Sequence, residues 1–87
     1  MSLYPNDFAQ AFSNLLVKSG VSCYQINQFI DLDQAYLSRL KSGEQNNPSP
    51  ETILKIGLAL CHLSDKIKIY DIEKLLNSTG RSLRVSA

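Results

Sequence analysis

Apolar residues recur along this chain at helical spacing. Phe8, Phe12, Leu15 and Leu16 fall at i, i+4, i+7 and i+8, the stripe of an amphipathic helix. Asn6 or Asp7 can cap it, Lys18 suits its C-terminal end, and Gly20 ends it. A second helix opens at Ser22, with Gln25 three residues on completing a capping box, and carries Ile26, Phe29 and Ile30 on one face. After the turn Asp31-Leu32-Asp33, Asp33 is expected to cap a third helix. Tyr36, Leu37 and Leu40 mark its buried side, and Gly43 sits where a left-handed residue stops it. The polar loop 44–48 leaves no room for a strand. Ser49 and Pro50 then start a fourth helix, with Ile53, Ile56 and Leu60 on one face and Leu54 and Leu58 widening it. Gly57 interrupts this helix at about 1 kcal/mol relative to Ala, which implies close packing against another helix. Ser64-Asp65-Lys66 is a break. Ile69, Ile72, Leu75 and Leu76 form a fifth apolar face, which Gly80 stops, and the tail 81–87 has no period and reads as a flexible end.

No segment alternates as a strand does, and there is no internal repeat. Five helices with short connections predict an all-α fold, a single domain over 1–87, near the size where one core just suffices. A hydrophobic fraction of 44% is ordinary for a folded chain. No apolar run approaches the roughly 20 residues that span a bilayer, and the N-terminal residues do not read as a signal peptide. Two cysteines, Cys23 and Cys61, are too few for a disulfide scaffold, so a reduced, cytoplasmic setting is expected. The net charge of +1 does not mark a protein that coats nucleic acid by bulk charge; local distribution matters more than the sum. Lys66, Lys68, Lys74, Arg81 and Arg84 make the C-terminal third mildly basic. That reads by default as a solvated face and otherwise as a surface for nucleic-acid backbone.

The two short helices of 21–43 organise the chain. Two helices joined by three or four residues form a helix-turn-helix unit, whose second helix can lie in the DNA major groove. The ordered set around them is Ser22, Ile26, Ile30 and Leu32, then Leu37-Ser38-Arg39-Leu40-Lys41-Ser42-Gly43. The run from Pro48-Ser49-Pro50 through Ile53-Leu54-Lys55-Ile56-Gly57-Leu58-Ala59-Leu60 follows. This set, in register over roughly residues 7–63, resembles the phage-repressor-like helix-turn-helix family of the lambda repressor/Cro (XRE) type. The chain departs from that pattern in four places. Cys23 stands where the family often has Gln, Asn27 where a small residue marks the helix crossing, Asp31 at the turn glycine, and Lys41 where an acid is common. The turn must therefore be made without the usual permissive residue, although Asp tolerates the left-handed conformation better than most residues.

The resemblance implies a compact five-helix DNA-binding domain of a bacterial or phage transcriptional regulator, a repressor above all. It would be a homodimer on a near-palindromic operator in double-stranded DNA, with residues 34–42 as the recognition helix. Gln34, Ala35, Ser38 and Arg39 would read bases: Gln34 on adenine, Ala35 on a thymine methyl, Arg39 on guanine, and Ser38 on either base or phosphate. Ser22, Cys23, Lys41, Ser42, Gln45, Asn46 and Asn47 would contact the DNA backbone. No cofactor, metal, membrane or small-molecule ligand is implied.

Outside that pattern, Gln34, Ser38 and Arg39 would be no more than a solvated helix face. Cys23, Cys61 and His62 lack ligand-pair spacing, and adjacent helical residues such as Cys61 and His62 point about 100° apart, too far for a nucleophile and its base. Tyr4, Tyr24, Tyr36 and Tyr70 read as packing residues. The rival from another class is a protein-interaction module, such as an antitoxin-like partner, that keeps the fold without strong DNA binding; the loop 44–48, which carries no Lys or Arg, and the low net charge favour it. An enzyme is not expected, since the chain offers no clustered carboxylates and no glycine-rich phosphate loop. The fifth helix is a candidate dimer interface, unless it packs inward on Phe8 and Phe12.

Overall fold

The computed structural model describes residues 7–45 and 47–79. Asn6, Asn46, Gly80, Tyr4, Arg81, Arg84 and the tail 81–87 lie outside the described residues. Five helices occupy the rest: α1 (Asp7–Ser19), α2 (Cys23–Phe29), α3 (Gln34–Ser42), α4 (Pro50–Leu63) and α5 (Ile69–Asn77). There is no strand among the described residues, so the all-α expectation holds. Asp7 is the first helical residue of α1, not its cap. No helix among the described residues is long and apolar enough to cross a membrane.

α1 packs on α3 and α5, α2 on α3 and α4, and α4 on α5. One core joins them: Phe8, Phe12 and Leu15 of α1, Ile26 of α2, Leu37 and Leu40 of α3, Ile53, Ile56 and Leu60 of α4, and Leu75 and Leu76 of α5. The Phe8 and Phe12 rings lie 5.8 Å apart at a tilt of 31°, within the range of favourable aromatic pairs. α5 directs Ile72, Leu75 and Leu76 inward, so that part of its apolar face belongs to the core, while Ile69 and Tyr70 in its first turn stay exposed.

Several expected core residues lie outside it. Leu54 and Leu58 are exposed, Leu58 by 62%, because α4 turns inward the face that carries Ile53, Ile56, Gly57, Ala59 and Leu60. Ile69 opens α5 at 67% exposure, and Phe29 ends α2 at 45% with its ring against His62. Each lies on the flank or at the end of its helix, outside the core.

The connection from α2 to α3 is made without a glycine. No non-glycine residue among those described has a positive φ, so Asp31 does not take a left-handed conformation. The chain instead runs extended through Ile30 (φ −124°, ψ 163°), and Asn27 Nδ2 donates to the Leu32 carbonyl at 2.8 Å. The Asn27 side chain thus ties down the turn that follows α2. Asp33 holds the N-cap position of α3, but its side chain makes no capping hydrogen bond.

The close approach at Gly57 is real. A Cβ there would lie 2.7 Å from Cγ1 and 2.8 Å from Cγ2 of Ile72, so the missing side chain lets α5 settle on α4. At the start of α5, Asp71 is 2% exposed and accepts from the Lys68 N–H at 2.9 Å, while Lys18 Nζ donates to both of its oxygens at 3.1 Å. Burial is the largest single influence on Asp71 and raises its pKa; the Lys68 N–H and the Lys18 ammonium together outweigh it and hold the carboxyl below its ordinary value. The hydrogen bond to Asp71 raises the Lys18 pKa, against a smaller opposing effect of desolvation.

Two predictions follow from this packing. Gly57→Ala should destabilise the fold by about 1–3 kcal/mol despite the better helix propensity of Ala. In urea denaturation the loss should shrink when Ile72→Val is added, because the clash is with Ile72. Asp71→Ala should cost roughly 1–2 kcal/mol near neutrality through the lost cap. Because the folded-state pKa of Asp71 is depressed, its contribution is present above the unfolded value of about 4 and is lost as pH falls through the folded value. The gap between wild type and Asp71→Ala, followed by denaturation from pH 7 downward, should therefore close below about pH 4.

Candidate functional site

α3 is held by two side chains. Leu37 and Leu40 are fully buried, and Tyr36 is half-buried beside them. At 100° per residue this leaves Ala35, Ser38, Arg39 and Ser42 on the opposite side, with Gln34 and Lys41 on the flank, and all six are exposed. Gly43 stops the helix at φ 89°, its N–H reaching the Arg39 and Leu40 carbonyls at 3.1 and 3.3 Å, and the Gln45 N–H closes on the Arg39 carbonyl at 3.0 Å. A side chain at Gly43 would strain this left-handed stop.

The exposed side of α3 has two edges. Gln34, Ser38, Lys41 and Ser42 face an open groove of about 980 Å³, whose other wall comes from the end of α1 and the start of α2. Leu16 and Val21 give it an apolar floor; Ser22, Cys23 and Tyr24 stand opposite α3. Ala35 and Arg39 occupy the outer edge of the same helix face and do not line the groove. The structure thus brings together Ser22, Cys23, Gln34, Ser38, Lys41 and Ser42. Gln45 and Asn47 are exposed in the loop after α3, away from the groove, and Asn46 lies outside the described residues.

The chemistry available at each position differs. The capping box of α2 is complete: Ser22 Oγ accepts from the Gln25 N–H at 3.2 Å, and Gln25 Oε1 accepts from the Ser22 N–H at 2.9 Å. The hydroxyl proton of Ser22 remains available to an acceptor. Ser42 donates to the Arg39 carbonyl at 3.1 Å and accepts from the Glu44 N–H at 3.3 Å, so its donor already serves the helix end. The Gln45 N–H is likewise taken, leaving its carboxamide. Among the described residues neither Arg39 nor Lys41 makes an ion pair. Asp31 and Asp33 before α3 and Glu44 after it are exposed carboxylates, so the ends of this helix are of mixed sign.

Cys23 is half-buried against the core. Burial pushes its thiol pKa up, and the nearby Lys41 ammonium only partly offsets this. Cys61 is also half-buried, and the exposed His62 ring stacks on Phe29 with centroids 4.3 Å apart. No group of three or more His, Cys, Asp or Glu residues that could hold a metal ion occurs among the described residues.

Sequence reasoning missed Tyr24 and Val17, which line the groove at 56% and 84% exposure. The signal for Tyr24 lay in α2 itself: Ile26 is its one fully buried residue, so a side chain two positions earlier points away from the core. Comparison with protein-family models, characterised proteins and solved structures finds no match to this chain.

The raised pKa of Cys23 makes its thiolate scarce at neutral pH. In a Cys61→Ser background, iodoacetamide should alkylate Cys23 more slowly than it alkylates free cysteine at pH 7.5, with the rate still climbing above about pH 8.5. A rate equal to that of free cysteine would contradict the burial assigned to this side chain.

Proposed function

We propose that the chain is a sequence-specific double-stranded-DNA-binding module of the phage-repressor-like helix-turn-helix type, acting in transcriptional regulation, with α3 in the major groove. The observation that carries this reading is the division of α3. Leu37 and Leu40 fix one side in the core, and Gln34, Ala35, Ser38 and Arg39 stand together, unobstructed, on the other. A recognition helix needs this arrangement, because base edges are read by side chains from one face of a rigidly held element.

The roles follow from chemistry. Arg39 offers a bidentate donor pair that suits guanine O6 and N7, with no carboxylate partner to displace. Gln34 offers a donor and an acceptor for adenine, the Ala35 methyl suits a thymine methyl, and the Ser38 hydroxyl can serve either. Lys41 and the Ser22 hydroxyl flank the groove beside α3, where a phosphate would meet one charge and one neutral donor. Asp31, Asp33 and Glu44 oppose phosphate. A single copy therefore binds weakly, and a homodimer on two half-sites supplies the affinity that one face lacks.

Selection from a randomised duplex pool, followed by fluorescence anisotropy, tests the reading. Enrichment of a two-fold-symmetric site is expected. Arg39→Ala should cost about 1–3 kcal/mol and relax one base position, whereas Lys41→Ala should weaken all sequences alike and reduce the salt slope by about one. The slope per protomer should be shallow; one steeper than about −6 contradicts the small count of phosphate contacts. No enrichment, with both variants equal to wild type at low salt, would turn the reading to a protein-interaction module.

A further inference from the structure

The groove beside α3 offers more than the base-reading face uses. Its volume of about 980 Å³ lies at the top of the range of small-molecule sites, about 300–1,000 Å³, and far exceeds what one phosphate needs. Gln34 and Ser38 line it and also belong to the exposed face of α3, so the groove adjoins whatever that face meets. The chain has eight side-chain carboxylates, and none lines the groove; the charged residue there is Lys41. Cys23 adds no anion near neutrality, because burial keeps its thiol protonated. The wall opposite α3 presents Val17 and Tyr24, both exposed. The Tyr24 hydroxyl has no partner among the described residues. The cavity of about 230 Å³ between α1 and α5 is different in kind: it contains the buried Asp71 carboxylate, which already holds Lys18.

We propose that one sugar–phosphate strand of the duplex lies along this groove, with the Tyr24 hydroxyl donating to a phosphate across from Lys41 and Val17 against deoxyribose. The inference rests on the DNA reading above and assigns two residues that reading leaves idle. Such a strand alternates anionic phosphates with sugars whose ring carbons are apolar. The groove answers both: the Ser22 and Tyr24 hydroxyls and the Lys41 ammonium supply donors, and Leu16, Val17 and Val21 supply apolar surface. A hydroxyl donating to a phosphate makes a charge-assisted bond. Such a bond carries no base information; phosphate contacts position the protein, and base contacts specify the sequence. Tyr24 is therefore a positioning residue. Its wall and α3 are held in one core, through Ile26 on one side and Leu37 and Leu40 on the other. A phosphate held by Tyr24 thus fixes how far α3 enters the major groove.

The test uses the whole chain and a duplex carrying one half-site of the operator selected from the random pool, which keeps subunit pairing out of the measurement. Tyr24→Phe keeps the ring and removes the hydroxyl. It should weaken binding to every sequence about three- to tenfold and relax no base position. The salt slope should stay unchanged, because a neutral donor releases no counterion. Val17→Lys adds a cation to the same wall. It should tighten binding to every sequence and steepen the salt slope by about one. Leu58→Lys adds the same charge at an exposed position of α4 outside the groove, and should leave the affinity within about twofold of wild type. Circular-dichroism melts check that each variant folds.

Tyr24→Phe binding as wild type does, or Val17→Lys binding no tighter than Leu58→Lys, overturns the proposal. If a two-fold-symmetric site is still enriched and Arg39→Ala still relaxes one base position, either result removes the strand from the groove and keeps α3 as the reading helix. A pool that yields no enriched site rejects the DNA reading, and the assignment of Val17 and Tyr24 falls with it.

Discussion

The placement of α3 depends on two leucines. A nine-residue helix is too short to persist alone in water, so α3 exists because Leu37 and Leu40 are buried against the other helices. The same burial fixes its rotation about its axis. With one side locked, the side carrying Gln34, Ala35, Ser38 and Arg39 is presented in a single orientation, and the polar groups of Gln34, Ser38 and Arg39 cost nothing because they stay in water. Each leucine, fully buried, is worth about 1.5–3 kcal/mol, which exceeds anything the polar face contributes to folding.

The elements around α3 serve this placement. α2 is shorter still, with one fully buried residue, Ile26. Its N-terminus is closed by the Ser22–Gln25 capping box, and its exit is tied by Asn27 to the Leu32 carbonyl. The connection between the two helices is thus fixed by a side-chain hydrogen bond, with no left-handed residue in the turn. On the far side of the core, α5 is drawn in by the missing side chain of Gly57 and by the buried Asp71 carboxylate, which caps α5 and pairs with Lys18 of α1. These contacts close the domain away from α3 and leave its outer face and the adjoining groove open.

Helix positions were legible in the sequence because their ends carry local chemistry. Ser22 with Gln25, Ser49 with Pro50, and Gly43 each announce a boundary within a few residues, and each does so in the structure. The exposed face of α3 was legible for the same reason, since burying Leu37 and Leu40 settles where the other residues point. Leu54, Leu58, Phe29 and Ile69 were misjudged because an apolar side chain records what a residue tolerates, whereas burial depends on whether a neighbouring helix reaches it. The Lys18–Asp71 pair joins residues 53 apart in sequence and left no local signal. Asp33 shows the converse: a residue type suited to capping holds the cap position without making the bond. The groove wall at Tyr24 was hidden because tyrosine is as common in packing as at interfaces.

The central claim is that the exposed face of α3 meets DNA, and chemical-shift mapping on the isotopically labelled protein tests it directly. On titration with the duplex selected from a random pool at low salt, the backbone amides of Gln34, Ala35, Ser38, Arg39 and Lys41, with those of Ser22 and Cys23 across the groove, should move first and furthest. The amides of Ile72, Leu75 and Leu76 should stay in place. Shifts confined to other elements, or no shift at any ratio of DNA to protein, would contradict the account.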